Sequence, residues 1–183
     1  MLLSSPNKQC GLDPCPTFLV KSCADILAQT FSSIINFSLS DGSFPSGFKS
    51  AVVTPSLKKA SLSRNELKNY RPVSGLNFVS KLIEKVVAKQ VNQHLKQHKL
   101  DNPSQSAYKA GHSTETTLLS IQDDILCAMD RGEVTALTLL DLSAAFHTID
   151  HKMLLDRLAG WYGFSGSVLK WFRCYLSDRF QQK

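Results

Sequence analysis

The sequence predicts an α+β fold, and three observations carry that class. Residues 78–97 place Val79, Leu82, Ile83, Val86, Val87, Val91 and Leu95 at three- and four-residue spacing, the stripe of an amphipathic helix. Val134 to Leu140 is a nearly continuous apolar run that follows a turn, suited to a strand covered on both faces. Ala51-Val52-Val53-Thr54-Pro55 reads as a shorter strand set among helical stretches.

Taken in order, residues 1–16 hold Pro6, Gly11, Pro14 and Pro16 and no periodicity, so a loop region is expected. From about Phe18 to Leu39 the pattern is helical, with Ile26, Leu27, Phe31, Ile34, Ile35 and Leu39 near one face. Asp41-Gly42-Ser43 and Pro45 stop it. The strand at 51–55 leads into a polar, basic loop from Lys58 to Asn69, then Tyr70-Arg71-Pro72 and a turn around Gly75. In the helix at 78–97, Lys81, Lys85, Lys89 and Lys96 fall off the apolar stripe, which makes one side basic. Asp101-Asn102-Pro103 breaks this helix.

The next helix is expected from Ser113 as N-cap, with Glu115 favourable in its first turn. It carries Leu118, Leu119, Ile125, Leu126 and Met129 to a turn at Arg131-Gly132. After the apolar run come two helical segments, around 151–158 and 167–176, separated by Gly160, Gly163 and Gly166. Trp161, Trp171, Phe172 and Tyr175 fit core positions at helical spacing with Leu169 and Leu176; stacking on bases is the other use of such rings. The expected organisation is a loop region at 1–16, a mainly helical region at 17–133, and a region at 134–183 built on the second strand and its following helices.

The 183 residues suffice for one domain or part of a larger one, and 43% hydrophobic with 20% charged is ordinary for a globular chain. No apolar run reaches the roughly 18 residues of a membrane span. Met1-Leu2-Leu3-Ser4-Ser5-Pro6 is short for a signal peptide and has no basic leader, so neither a membrane nor a secreted protein is expected. The net charge of +6 is unevenly placed: from Lys49 to Lys99 there are 11 Lys/Arg against Glu66 and Glu84 alone, while the remainder is net negative. Such a block suits an anionic partner such as nucleic acid or phosphate, or else a solvated lysine face. Cys10, Cys15, Cys23, Cys127 and Cys174 form no CxxC pair and are odd in number, which predicts free thiols.

The chemistry centres on Leu140-Asp141-Leu142-Ser143-Ala144-Ala145-Phe146. A carboxylate ending a buried strand has a rigid mount and an exposed head, a good position for a metal ligand, although such an aspartate is more often a helix N-cap. Small residues at 143–145 admit a ligand to the backbone, and Phe146 can wall a pocket. His94 and His98 share a helix face without the HExxH arrangement and read as solvated. His147, Asp150 and His151 form a cluster that a metal hydrolase could use.

Leu140 to His151 resembles motif A of reverse transcriptases, in the form found in non-LTR (LINE-type) retrotransposons. Asn69-Tyr70-Arg71-Pro72-Val73-Ser74 resembles their fingers motif NYRP[IV]S. Gln105-Ser106-Ala107-Tyr108 with Gly111-His112-Ser113-Thr114-Glu115-Thr116 resembles their Q-x-x-[YF]-x-x-G-[HR]-S-T segment. Upstream, Phe44-Pro45, Lys49, Ala51, Val53-Thr54-Pro55 and Leu57-Lys58-Lys59 resemble the preceding strand and basic turn. Downstream, Trp171-Phe172, Tyr175-Leu176-Ser177, Arg179 and Gln181 resemble the stretch before the next strand. The five segments stand in the family's order over residues 12–182, with the CR1/L2/jockey-like group the nearest in pattern.

The resemblance implies the fingers and the start of the palm of a right-hand polymerase: fingers over 17–133 and an incomplete palm over 134–183. It implies an RNA-directed DNA polymerase domain that extends a DNA primer on an RNA template with deoxynucleoside triphosphates and two magnesium ions. Asp141 is then the motif A metal ligand, and the Leu142 backbone carbonyl a second. Phe146 takes the position that excludes a 2′-hydroxyl. Arg71, with one of Lys58 or Lys59, takes the fingers positions that hold the triphosphate. The location implied is intracellular, in nucleus or cytoplasm. The resemblance also accounts for Asp150-His151 as the opening of the helix after motif A.

Two departures bear on activity. His147 stands where the family commonly has Asp, and the sequence stops before the Pro-Gln-Gly loop of motif B and the Asp-Asp of motif C. Asp123-Asp124 precedes motif A and sits in a helical pattern, so it is expected as a solvated helix face. One carboxylate cannot hold two magnesium ions; the chain alone is therefore expected to be inactive. The alternative is a non-enzymatic retrotransposon remnant, at most an RNA-binding module.

Overall fold

The computed structural model describes residues 2–141 and 148–182. Along the chain come α1 (Thr17–Ser22), α2 (Ala24–Asp41), β1 (Ser50–Leu57), β2 (Tyr70–Leu76), α3 (Phe78–Gln97), α4 (Thr114–Asp130), α5 (His151–Gly160), α6 (Gly166–Leu176) and β3 (Phe180–Gln182). They fall into two units. The first joins Met1–Gln93 with Asp150–Lys183, and the second is His94–Ile149.

In the first unit the single helix expected over 18–39 is two, broken at Cys23. After the break the inward line of α2 runs through Ala24, Leu27, Phe31, Ile35 and Ser38, a steady helical spacing that leaves Ile26 outside and exposed. Gly42 closes α2 in the left-handed conformation at φ 66°. Ile35 and Phe44 form one core with Leu82, Ile83 and Val87 of α3 and Trp171 of α6. The stripe read from the sequence supplies the inward face of α3, with Val79, Val86 and Val91 packed at the edge of that core. The Phe44 ring meets Trp171 and Tyr175 edge-on, at 5.6 and 5.1 Å between centroids.

The segment before α1 is irregular, as its prolines predict, and side chains tie it down. The Asp13 carboxylate accepts from Cys10 N–H at 2.8 Å and from Phe78 N–H at 2.6 Å. Asn77 Oδ1 accepts from Ser80 N–H at 2.7 Å, so two side chains satisfy the first turn of α3.

The sheet has the order β2-β1-β3, with β1 antiparallel to β2 and parallel to β3. Here the structure departs from the sequence expectation: residues 70–76 form a strand, and Gly75 lies inside it opposite Val52 instead of making a turn. Pro72 is tolerated because it faces Pro55. In an antiparallel ladder opposite pairs alternate between bonded and non-bonded, and at a non-bonded pair neither ring is asked for an N–H.

The second unit carries α4, which starts where expected. Ser113 and Thr116 form a reciprocal capping box, and the Ser113 hydroxyl beside Glu115 holds that carboxyl below its usual range. Residues 133–140 have no regular structure, which corrects the expected strand. Val134 is 100% exposed and Leu140 88%. A strand needs a neighbour for its N–H and C=O groups, and the three strands of the described residues pair only with one another. The segment is thus both uncovered and unpaired among the described residues.

Trp171 is buried and Phe172 and Tyr175 half-buried, but Trp161 is 69% exposed, with the Arg157 guanidinium 5.3 Å above its ring. Its place outside the core follows from α5 ending at Gly160. All five cysteines are free. No helix among the described residues is long and apolar enough to cross a membrane.

Candidate functional site

The hairpin of β1 and β2 gathers the three basic residues singled out at its start and end. Lys58 directly follows β1, Lys59 comes next, and Arg71 is the second residue of β2, opposite Ser56. The long loop between the strands is held by side chains from the closing end. Asn69 is buried and its Nδ2 donates to the Ser63 carbonyl at 2.8 Å; the adjacent Tyr70 hydroxyl donates to the Arg64 carbonyl at 3.0 Å. Lys58 N–H donates to Asn69 O at 2.8 Å and closes the base. Sequence reasoning quoted Asn69 and Tyr70 within their motif without a role; the structure makes them the clamps of the basic loop. The signal available was an amide and a phenol adjoining a polar loop, where such groups often satisfy backbone carbonyls.

The two candidate lysines differ. Lys58 Nζ donates to the Lys68 carbonyl at 2.7 Å, so its ammonium is engaged in the loop. Lys59 and Arg71 are exposed and, among the described residues, neither makes a side-chain hydrogen bond or ion pair. Lys68 pairs with Glu66 at 2.9 Å, the one acid of this loop. Of the three basic residues singled out, Lys59 and Arg71 are thus uncommitted cations, of the kinds that hold a phosphate as a point charge and bidentately; the exposed Arg64 guanidinium of the same loop is a third such cation.

Asp141 belongs to the second unit, follows the irregular segment and is exposed. Leu142, Phe146 and His147 lie outside the described residues. No group of three or more His, Cys, Asp or Glu able to hold a metal ion occurs among the described residues. A carboxylate is the right donor for magnesium, but Asp141 alone does not complete a site. Asp123 and Asp124 are exposed on α4, as expected of a solvated face. His94 and His98 lie 4.4 Å apart between ring centroids, with no third ligand. Asp150 caps α5 by accepting from Met153 N–H at 2.9 Å, which assigns its carboxylate a structural role. On α3, Lys85, Lys89 and Lys96 are exposed and Lys81 is half-buried.

Comparison with known proteins bears on the whole of this arrangement. The chain is 29% identical over 141 residues to the "Probable RNA-directed DNA polymerase from transposon BS" of Drosophila melanogaster, across 74% of this chain and 15% of that protein. It is 28% identical over 152 residues to the "Transposon TX1 uncharacterized 149 kDa protein" of Xenopus laevis, across 83% of this chain and 11% of that one. The "Probable RNA-directed DNA polymerase from transposon X-element" of Drosophila melanogaster is 28% identical over 108 residues, 59% of this chain and 12% of its own length. The chain thus spans a small part of each relative. Residues 57–182, which begin at the end of β1 and take in the basic hairpin loop and Asp141, match the family described as reverse transcriptase (RNA-dependent DNA polymerase). That match covers well over half of the sequence, and the chain belongs to the reverse transcriptase family.

Proposed function

We propose that this chain is the opening part of a non-LTR retrotransposon reverse transcriptase domain, comprising the fingers and the first part of the palm. The observation that carries the reading is the β1–β2 hairpin, which keeps Lys59 and Arg71 uncommitted while Lys58 is spent on the loop. In this reading Arg71 and Lys59 grip the triphosphate of a deoxynucleotide, and Lys58 shapes the loop that presents Lys59. RNA template and DNA primer are the macromolecular partners. Asp141 and the Leu142 carbonyl serve as magnesium ligands, Phe146 discriminates against ribonucleotides, and the site of action is intracellular, in nucleus or cytoplasm.

The 183-residue chain does not polymerise by itself. Magnesium would supply charge neutralisation at the transferring phosphate, and a two-metal site requires more carboxylates than Asp141 provides. Asp123 and Asp124 stand on an α4 face ahead of it and are not substitutes. Two measurements on the full chain test the two halves of this reading. In primer extension on an RNA template with magnesium, neither the chain nor its Asp141→Ala variant should extend; extension lost in the variant overturns the inactivity. In equilibrium titration with a fluorescent deoxynucleoside triphosphate, the chain should bind and the Lys59→Ala/Arg71→Ala double variant should not. Equal binding by both overturns the nucleotide site.

A further inference from the structure

Lys49 follows a short 3-10 turn and stands one residue ahead of β1. Only 6% of it is exposed, and among the described residues no carboxylate lies within ion-pair distance of its ammonium. The polar atom it reaches is Cys174 Sγ on α6, at 3.6 Å. The same sulfur accepts from Phe44 N–H at 3.3 Å, and its S–H donates to the Phe44 carbonyl at 3.7 Å. All of these residues belong to the first unit.

Buried lysines are nearly always paired with an anion, because an ammonium out of water is costly without one. A neutral thiol is a weak acceptor and leaves that need largely unmet. An ammonium and a peptide N–H converging on one sulfur are, however, the donors that an anionic oxygen on that sulfur would require. The hydroxide that departs as the sulfur attacks a peroxide carries negative charge, as does the sulfinate reached by a second oxidation, and an ammonium beside the sulfur favours both.

We propose that Cys174 is a peroxide-modified site whose oxidised group is held by Lys49 and Phe44 N–H. In the first step the sulfur attacks one oxygen of hydrogen peroxide. The S–O bond forms as the O–O bond breaks, and the departing hydroxide takes the thiol proton to give sulfenic acid and water. Sulfur loses two electrons and peroxide gains them. A second hydrogen peroxide converts the sulfenic acid to sulfinate, with release of water and one proton. The sulfinate is the anion that buried Lys49 lacks, so the ladder runs on to it.

The other thiols lack this setting. Cys10 is buried with its S–H on the Gly75 carbonyl, and among the described residues no lysine donates to Cys15, Cys23 or Cys127. Exposure alone would favour Cys23 and Cys127, which are open to solvent while Cys174 is half-buried. The test is therefore a competition within the native full chain: brief hydrogen peroxide treatment, alkylation of remaining thiols, and peptide mass analysis. Cys174 should gain one and then two oxygens roughly tenfold faster than Cys23 and Cys127. In Lys49→Met, which keeps the length and removes the charge, the Cys174 rate should fall roughly tenfold while the other two stay unchanged. Oxidation of Cys174 no faster than Cys23 in the native chain overturns the proposal without reference to any variant. An unaltered Cys174 rate in a folded Lys49→Met chain, judged by its thermal melt, also overturns it.

Discussion

The indole N–H of Trp171 donates to Ser38 Oγ at 3.0 Å, and that hydroxyl donates onward to the Ser43 carbonyl at 2.5 Å. One serine on α2 thus satisfies a buried ring from α6 and the carbonyl just past the Gly42 cap. Ser38 is 1% exposed, so water cannot replace it. Ser38→Ala should leave the buried Trp171 indole N–H and the half-buried Ser43 carbonyl without this partner and destabilise the chain by about 2 kcal/mol. Denaturant titration followed by Trp171 emission measures it; a loss within error of zero would mean the two groups find other partners.

Gly42 makes a sharper case. It holds φ 66°, and a Cβ there would come within 2.7 Å of the Ser167 carbonyl oxygen, a backbone atom. Gly163 holds φ 70° with nothing within 4 Å of such a Cβ. Gly163→Ala should therefore cost only the left-handed conformation, about 1 kcal/mol, and Gly42→Ala at least about 1 kcal/mol more. Equal losses in urea titration would mean that α6 moves aside freely.

Tyr175 donates to Glu84 Oε1 at 2.9 Å, and burial first, then the Glu84 charge, push its phenol from 10.0 up to about 12. The folded state keeps this proton at a pH where the unfolded chain gives it up. The contribution is complete below about pH 10 and is lost as pH rises from there through 12. Urea midpoints should fall across that window and be level between pH 7 and 9. Tyr175→Phe should remove this part of the slope; an unchanged slope would assign it to other groups.

Lys58 and Lys59 should separate in two assays. Lys58→Ala removes an exposed charge-assisted bond to Lys68 O and should lower stability by about 0.5–1 kcal/mol. Lys59→Ala and Arg71→Ala should leave the melt unchanged while weakening triphosphate binding about tenfold each. The reverse pattern would exchange the roles of the two lysines.

The exposed lysines of α3 are the remaining basic feature. If Lys85, Lys89 and Lys96 each meet a phosphate of single-stranded RNA, affinity should fall roughly tenfold or more between 50 and 200 mM salt. Replacing all three by Gln should flatten that dependence. A native chain whose RNA affinity barely moves with salt would leave α3 a solvated face.

What the sequence determined by itself is local. The apolar stripe of α3, the Ser113 cap, the stop at Gly42 and the ordered motifs from Lys58 to Asp141 all depend on spacing within a few turns of chain. They suffice for the helices apart from the break at Cys23, for the family and for the identity of the basic residues. The tertiary structure decided whatever depends on a partner far away in sequence. Gly75 reads as the centre of a turn after Tyr70-Arg71-Pro72, because Pro72 and Gly75 break local patterns, yet β1 supplies a register in which both sit harmlessly within a strand over 70–76. The apolar run at 134–140 reads as a strand, yet it has no ladder to join among the described residues. Lys58 and Lys59 are alike in sequence, and only the Lys68 carbonyl distinguishes them. The placing of Cys174 against Lys49, 125 residues away, is of the same kind. Periodicity records how a segment meets the core, whereas hydrogen-bond pairing and charge pairing are settled by whichever distant group the fold delivers.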